Sequence, residues 1–187
     1  GQQALRQVGQ RSSGLAAEDQ VKATIFKPPT PLPVKLDKFS IFLAGSIEMG
    51  SASPWQTQTC NELSDLDINI FNPRRDAWDK SWEQSIENPT FVEQIEWELR
   101  GQELASLVAI YFDPDTKSPI SLMELGLFHR GPMIVCCPKG FWRKGNVDVV
   151  CRRYDIPQAS SLDTFITWLK AVGLGLEVGK EQRKLKP

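Results

Sequence analysis

Short apolar runs alternate with longer amphipathic segments along the chain, and this alternation limits the fold more than any other feature. Five apolar runs are predicted to be strands: 39–44, 67–71, 107–112, 133–137 and 147–151. Four segments with helix-start residues or helical spacing are predicted to be helices: 54–63, 88–104, 118–130 and 162–172. Strands that alternate with helices in this way favour an α/β protein with a parallel sheet and helices on both faces.

Right-handed crossover connections restrict the topology to a few doubly wound forms. We predict a five-stranded doubly wound parallel sheet with the common strand order 2-1-3-4-5. A ligand of such a sheet binds beyond the carboxyl ends of the strands, where the winding reverses between strands one and three. The loops that follow these two strands, 45–50 and 113–118, should therefore face each other. Glycines in the first loop allow backbone amides to approach a ligand, and the second loop leads into a helix N-terminus.

The composition favours one globular domain preceded by a tail. The chain has 187 residues, of which 41% are hydrophobic, and this is enough for one core. Residues 1–37 are polar and then proline-rich, so we predict a flexible or surface-wrapping N-terminal tail before a domain that spans 38–187.

Charge and cysteine usage exclude several classes of partner. The formal net charge is -1, which does not indicate a nucleic acid polymer. The four cysteines form no CxxC pair and there is one histidine, so no metal or other cofactor is implied. The sequence contains no recognisable signal peptide and no apolar run of transmembrane length, which predicts a cytoplasmic protein without a membrane partner.

Glu124 is the main candidate for chemistry. It lies early in the helix that follows the third strand, among apolar neighbours, so it either faces solvent or points into the cleft. Gly126 lies two residues later, and a glycine inside a helix costs about 1 kcal/mol relative to alanine. We interpret Gly126 as a point of close packing against the sheet, which would place Glu124 near the strand ends.

Two segments carry a family resemblance. Leu-Ala-Gly-Ser-Ile at 43–47 and Met-Glu-Leu-Gly at 123–126 make the chain from about 39 to 140 resemble the nucleoside 2-deoxyribosyltransferase superfamily. The resemblance implies cleavage or base exchange at the N-glycosidic bond of a nucleoside or nucleotide, a small-molecule substrate. It also implies assembly as a homodimer or a larger homo-oligomer.

The resemblance assigns roles to two glutamates. Glu124 corresponds to the nucleophile, which would form a covalent glycosyl intermediate. Glu98, on the preceding helix, corresponds to an acidic residue that contacts the base or assists proton transfer. Glu93 and Glu96 are alternatives for this role, and a solvated acidic helix face would explain all three residues equally well.

Ser118 is a departure from the transferases, which often carry aspartate six residues before the nucleophile. In this respect the chain is similar to the 2'-deoxynucleoside 5'-phosphate N-hydrolases, in which a serine near the helix start holds the phosphate. The alternative is that Ser118 is only the N-cap before Pro119. Asp113 or Asp115 would then replace the missing aspartate, so Asp113 is the third catalytic candidate.

Further substrate contacts are expected from loops at the same edge of the sheet. An arginine of the pair Arg74-Arg75 would neutralise a phosphate, and tryptophans would stack on a base unless they serve core or lid packing. The complete set of predicted substrate-binding residues is Gly45, Ser46, Ile47, Trp55, Arg75, Trp78 and Ser118.

Two other functions stay open. A non-catalytic nucleotide-binding or sensing module on the same fold would bind without turnover, and its Glu124 would have no second carboxylate within reach. A response-regulator-like switch shares the strand order, but it needs an acidic pair at the end of the first strand, where Gly45-Ser46 stands.

Overall fold

The computed structural model describes residues 22–47, 52–76, 79 and 81–178. The strands within these ranges are β1 (Thr24–Phe26), β2 (Ser40–Gly45), β3 (Asn69–Phe71), β4 (Leu107–Tyr111), β5 (Met133–Cys136) and β6 (Gln158–Ala159). The helices are α1 (Trp55–Glu62), α2 (Pro89–Leu104), α3 (Pro119–Phe128), α4 (Lys144–Arg153) and α5 (Leu162–Gly173). In the described part of the chain, no helix is both long and apolar enough to cross a membrane.

The strands form one parallel sheet in the order β1-β3-β2-β4-β5-β6. Without the edge strand β1 this is the predicted order 2-1-3-4-5, so the α/β class is confirmed with one additional strand. β2 and β4 are neighbours at the centre, with Ile41 opposite Leu107 and Gly45 opposite Tyr111. The winding therefore reverses between these two strands.

Helices cover both faces of the sheet because the central strands are apolar on both sides. Every residue of β2 and β4 is buried, as expected for inner parallel strands. Ile41 and Leu43 point to the face covered by α1 and α5. Phe42 and Ala44 point to the opposite face, where Trp97 of α2 and Leu125 of α3 pack.

The predicted fifth strand is wrong, since residues 147–151 belong to α4. Val147 and Cys151 are buried four residues apart, whereas Val149 is exposed, which is the spacing of a helix face. A short apolar run does not distinguish a strand from one side of a helix. The position beside β5 is taken instead by β6, which pairs through Gln158 and Ala159.

Residues 22–37 do not form a flexible tail, because they contact the sheet edge and α2 as a surface-wrapping segment would. Residues 1–21 lie outside the described part of the chain. Thr24–Phe26 pairs with β3 along the sheet edge, with Ile25 opposite Ile70. The proline-rich segment then contacts α2, where Trp97 Nε1 donates a hydrogen bond of 2.8 Å to Thr30 O. Pairing with a strand far along the chain leaves no periodic pattern in so short a segment.

Close packing against the sheet occurs at Gly101, and the interpretation of Gly126 is wrong. A Cβ added at Gly101 of α2 would lie 2.7 Å from Phe42 Cε2. Gly126 is exposed, and a Cβ there would meet nothing within 4 Å. The placement of Glu124 therefore depends on other contacts.

Candidate active site

Ser46 joins the ends of the two central strands. Its Oγ accepts a hydrogen bond of 2.9 Å from Asp113 N, and it lies 2.8 Å from Thr116 Oγ1 and 2.5 Å from Ser118 Oγ. The loops after β2 and β4 therefore face each other, as the sequence predicted. Ser46 is only 1% exposed, and its hydroxyl is occupied by these hydrogen bonds. The residue therefore links the two loops and is not open to a ligand.

Gly45 allows the close approach of these loops. Its φ of 135° is rarely adopted by other residues, and an added Cβ would lie 2.2 Å from Tyr111 O. Ile47, which is 37% exposed, continues the loop toward residues 48–51, which lie outside the described ranges.

Ser118 is not the simple N-cap that the sequence left open. It adopts a left-handed conformation with φ 46° and makes no side-chain cap hydrogen bond. Its hydroxyl lies 2.7 Å from Thr116 Oγ1 and is buried in the hydroxyl cluster around Ser46. The residue stabilises the loop that leads into α3.

Asp113 is not brought together with Glu124. Its Oδ2 accepts hydrogen bonds from Ser53 N at 2.9 Å and Ser53 Oγ at 3.0 Å, and its Oδ1 accepts from Asp115 N. Ser53 precedes α1, which covers the sheet face opposite to α3. A carboxylate that accepts from three donors anchors the loops around it, so the geometry does not support a catalytic role for Asp113.

Glu124 is buried and is held by α2. It is 7% exposed, and its Oε1 accepts a hydrogen bond of 2.8 Å from Gln102 Nε2. Burial, followed by the negative charge of Glu98, raises the pKa of Glu124 to about 8, against the opposing effect of the Gln102 hydrogen bond. Glu124 therefore points away from bulk water and toward a second carboxylate.

Glu98 is partly buried beside Glu124. Its Oε1 accepts a hydrogen bond of 2.7 Å from Gln94 Nε2. Removal from water raises the pKa of Glu98 to about 7, although the Gln94 hydrogen bond opposes this rise. The alternatives Glu93 and Glu96 are exposed, so α2 presents Glu98 to α3.

Three polar residues on one side of α2 form this arrangement, and we call them the polar ladder: Gln94, Glu98 and Gln102. Their four-residue spacing places them on one helix face. The family resemblance predicted Glu98, but neither glutamine was predicted from the sequence. A polar stripe at this spacing beside the apolar residues of α2 is the signal that could have revealed them.

The ladder leaves polar atoms for a ligand. Gln94 Oε1 and Gln102 Oε1 are buried acceptors, and Arg75 Nη1 is a buried donor; none has a hydrogen-bond partner among the described residues. Buried polar atoms are nearly always paired, so the two glutamine oxygens beside the carboxyl groups, with Arg75 Nη1 in the loop that Gln94 binds, indicate a site for a polar molecule.

Arg75 extends this site toward the loop after β3. Its side chain is 11% exposed, its Cζ lies 5.2 Å from the centroid of the Trp82 ring, and its Nη2 is 3.9 Å from Glu93 Oε2. Gln94 Nε2 also donates to Pro73 O at 3.0 Å, which ties this loop to the ladder. The structure thus places Arg75 at the carboxyl edge of the sheet, as predicted.

The tryptophan predictions have different outcomes. Trp55 is fully buried, its ring centroid lies 5.3 Å from that of Tyr111, and its Nε1 donates to Ser46 O at 2.9 Å. It cannot stack on a base, so this prediction is wrong: the first residue of α1 turns into the core. Trp78 lies outside the described residues.

An apolar groove of about 320 Å³ between α3 and α4 is separate from the carboxylates. Its lining includes Leu122, Leu125 and Val147, but neither Glu98 nor Glu124. Its chemistry differs from that of the ladder, and we place the candidate active site at the Glu98–Glu124 pair.

The fold and the site define an open, parallel α/β protein with a buried carboxyl pair beside its two central strands. Residues 38–141 match the family model "Nucleoside 2-deoxyribosyltransferase like", and the chain belongs to this family. It is also similar in fold to a conserved protein from Enterococcus faecalis V583, with a TM-score of 0.50 and 13% identity over 70% of this chain and 96% of that chain. No curated protein matches this chain significantly.

Proposed function

We propose that this chain cleaves the N-glycosidic bond of a nucleoside or nucleotide and passes the sugar to water or to a second base. Glu124 is the nucleophile, and Glu98 is the proton donor and acceptor. The observation that carries the proposal is the pair itself: Glu98 lies close enough for its charge to raise the pKa of the buried Glu124. Such pairs of perturbed carboxyl groups are typical of acid–base sites.

In the first step, a carboxylate oxygen of Glu124 attacks the anomeric carbon while the bond from that carbon to the base nitrogen breaks. The bonding electrons leave with the base, and protonated Glu98 gives its proton to the departing base. The product is an ester between Glu124 and the sugar. The negative charge of Glu124 also stabilises the positive charge that develops on the sugar.

In the second step, water or the nitrogen of a second base attacks the same carbon and displaces the Glu124 carboxylate. Glu98, now ionised, accepts the proton of the attacking group. Both steps invert the anomeric carbon, so the overall reaction retains its configuration.

The protonation states required by these steps are accessible near neutral pH. Burial and mutual repulsion raise the pKa of Glu98 to about 7 and that of Glu124 to about 8, so the pair shares a proton near neutral pH. That proton lies mainly on Glu124, and the first step uses the minor form, in which Glu98 carries it. The sugar's developing cation favours the ionised form of Glu124, and the leaving base needs the protonated form of Glu98. A pKa near the working pH is the most effective value for proton transfer.

Arg75 supports a phosphate-bearing substrate. A guanidinium group provides paired donors to phosphate oxygens, and Arg75 Nη1 has no partner in the part of the chain that the structure describes. The unpaired Gln94 and Gln102 oxygens suit the hydroxyl groups of a sugar.

The sensing alternative is less well supported. It requires a Glu124 with no second carboxylate within reach, whereas the charge of Glu98 acts on Glu124. Assembly as a homodimer or larger homo-oligomer stays a prediction, and multi-angle light scattering would test it.

The test is a chromatographic assay of a panel of nucleosides and their 5'-phosphates, with and without a second free base. A new nucleoside indicates transfer, and free base without exchange indicates hydrolysis. We expect Glu124→Gln to reduce either activity by about 10³-fold or more, and the exposed Glu96→Gln on α2 to leave it unchanged. Full activity in Glu124→Gln, or binding of the panel without any turnover, would overturn the proposal.

A further inference from the structure

We infer that Gln102 is a positioning residue for Glu124: its amide nitrogen holds Oε1 and leaves Oε2 as the oxygen that attacks the sugar. This inference rests on the proposed function, and it assigns a role to a residue outside the carboxyl pair.

The position of the Gln102 side chain is determined by two acceptors. Nε2 donates to Glu124 Oε1 at 2.8 Å and lies 3.4 Å from Glu98 O, and the residue is 3% exposed. The reversed amide would place its carbonyl oxygen against the Glu98 carbonyl and, in the ionised form that attacks the sugar, against the Glu124 carboxylate, both of which are acceptors. The nitrogen therefore faces Glu124.

This contact makes the two oxygens of Glu124 unequal. The donated hydrogen bond withdraws electron density from Oε1, so Oε2 is the better nucleophile. Among the described residues, Glu98 on α2 provides the charge that acts on Glu124. The strand residues that pack in the core beside α2 and α3 are apolar: Phe42, Ala44, Val108 and Ile110. Gln102 favours the ionised form of Glu124 against burial and that charge.

Gln94 provides a contrast within the same helix. It donates to Glu98 Oε1 at 2.7 Å from one turn away on α2, whereas Gln102 donates to Glu124 across the contact between α2 and α3, so each carboxyl group has its own glutamine. Loss of Gln102 should therefore affect the attack on the sugar, and loss of Gln94 should affect proton transfer to the base. A glutamine that only filled space would not separate these steps.

The kinetic test compares Gln102→Met, which keeps the side-chain length without the donor, with Gln58→Met at an exposed glutamine of α1. We expect kcat of Gln102→Met to fall about ten- to a hundredfold, the effect of losing a hydrogen bond to a charged group, while KM changes less than about threefold. The acidic limb of its pH–activity profile should move to higher pH. Gln58→Met should match the wild type in all three measurements.

A second measurement does not depend on turnover. Carbon-13 NMR of glutamate-labelled protein, with Glu124→Gln used for assignment, follows the Glu124 carboxyl through its titration. We expect its pKa to rise in Gln102→Met and to be unchanged in Gln58→Met. If Gln102→Met does not fold, Gln102→Asn provides the same comparison, because the shorter amide withdraws its donor from Glu124.

The two proposals fail in different ways. An unchanged Glu124 titration together with an unchanged pH profile in the Gln102 variants would overturn the positioning role, even if Glu124→Gln is inactive. Full activity of Glu124→Gln would overturn the proposed function. A raised pKa of Glu124 without a change in kcat would overturn the claim that Gln102 assists the attack.

Discussion

Glu98 on α2 and Glu124 on α3 lie close enough for the negative charge of the first to raise the pKa of the second. Burial acts in the same direction on both residues, so both carboxyl groups gain or lose their protons near neutral pH. This relationship has consequences for stability as well as for catalysis.

The first prediction concerns the pH dependence of stability. The pKa values of Glu98 and Glu124 are about 7 and about 8 in the fold, above the ordinary value of 4.5. The fold binds these two protons more tightly than the unfolded chain does. The resulting stabilisation is complete below pH 4.5 and is lost as the pH rises through 7 to 8. The free energy of unfolding of Glu124→Gln, taken relative to that of the wild type, should therefore be about 2 to 4 kcal/mol higher at pH 9 than at pH 5.

Urea unfolding at the two pH values measures this change. Glu96→Gln, an exposed glutamate on α2, should show the pH dependence of the wild type. Parallel stability curves for wild type and Glu124→Gln would contradict the raised pKa.

The second prediction separates the two carboxyl groups by the leaving group. Glu98→Gln should slow cleavage of ordinary nucleosides by about 10²- to 10⁴-fold, because the departing base needs a proton. In a nucleoside whose purine is methylated at N7, the cationic base departs without that proton. Glu98→Gln should therefore slow the cleavage of this nucleoside far less. Glu124→Gln should be inactive on both substrates. Steady-state rates with the paired substrates test this, and an equal loss in Glu98→Gln would exclude proton donation.

The third prediction concerns Arg75. If its unpaired nitrogen binds phosphate, Arg75→Leu should raise KM for a nucleoside 5'-phosphate by about ten- to a hundredfold, the effect of a charge-assisted hydrogen bond. KM for the corresponding nucleoside should hardly change. Arg100→Leu, at an exposed position of α2, is the matched control. Equal effects on both substrates would indicate a structural role for Arg75.

The fourth prediction uses two glycines. Gly101→Ala should destabilise the protein by about 1 to 3 kcal/mol, because its Cβ would lie 2.7 Å from the Phe42 ring. Gly126→Ala should stabilise it by about 0.5 to 1 kcal/mol, because the position is helical, exposed and free of close contacts. Chemical denaturation of both variants checks the opposite signs, and destabilisation by Gly126→Ala would contradict the packing described here.

The fifth prediction concerns Trp55. Because it is fully buried and donates to Ser46 O, Trp55→Phe should lower the free energy of unfolding by about 1 to 3 kcal/mol. KM for nucleosides that carry different bases should change by the same factor, since no base stacks on this ring. Unfolding curves and a base panel test the two statements, and a loss confined to purines would restore the stacking role.

The sequence predicted the central sheet well because β2, β4 and β5 are continuous apolar runs. It failed at 147–151, where a short apolar run is equally compatible with a helix face. It also failed at Thr24–Phe26, whose structure depends on pairing with β3. The site shows the same division: the resemblance identified Glu124 and Glu98, but it did not identify Gln94 or Gln102.

By itself, the sequence determined the α/β class, the order of the four strands β3-β2-β4-β5 and the loops that meet after β2 and β4. These features follow from local hydrophobic periodicity and from the geometry of parallel crossovers. Only the tertiary structure decided which acidic residues come together: Glu98 meets Glu124, whereas Asp113 turns to Ser53. The physical reason is that a pKa shift and a hydrogen bond depend on distance and burial in space, which spacing along a chain does not specify.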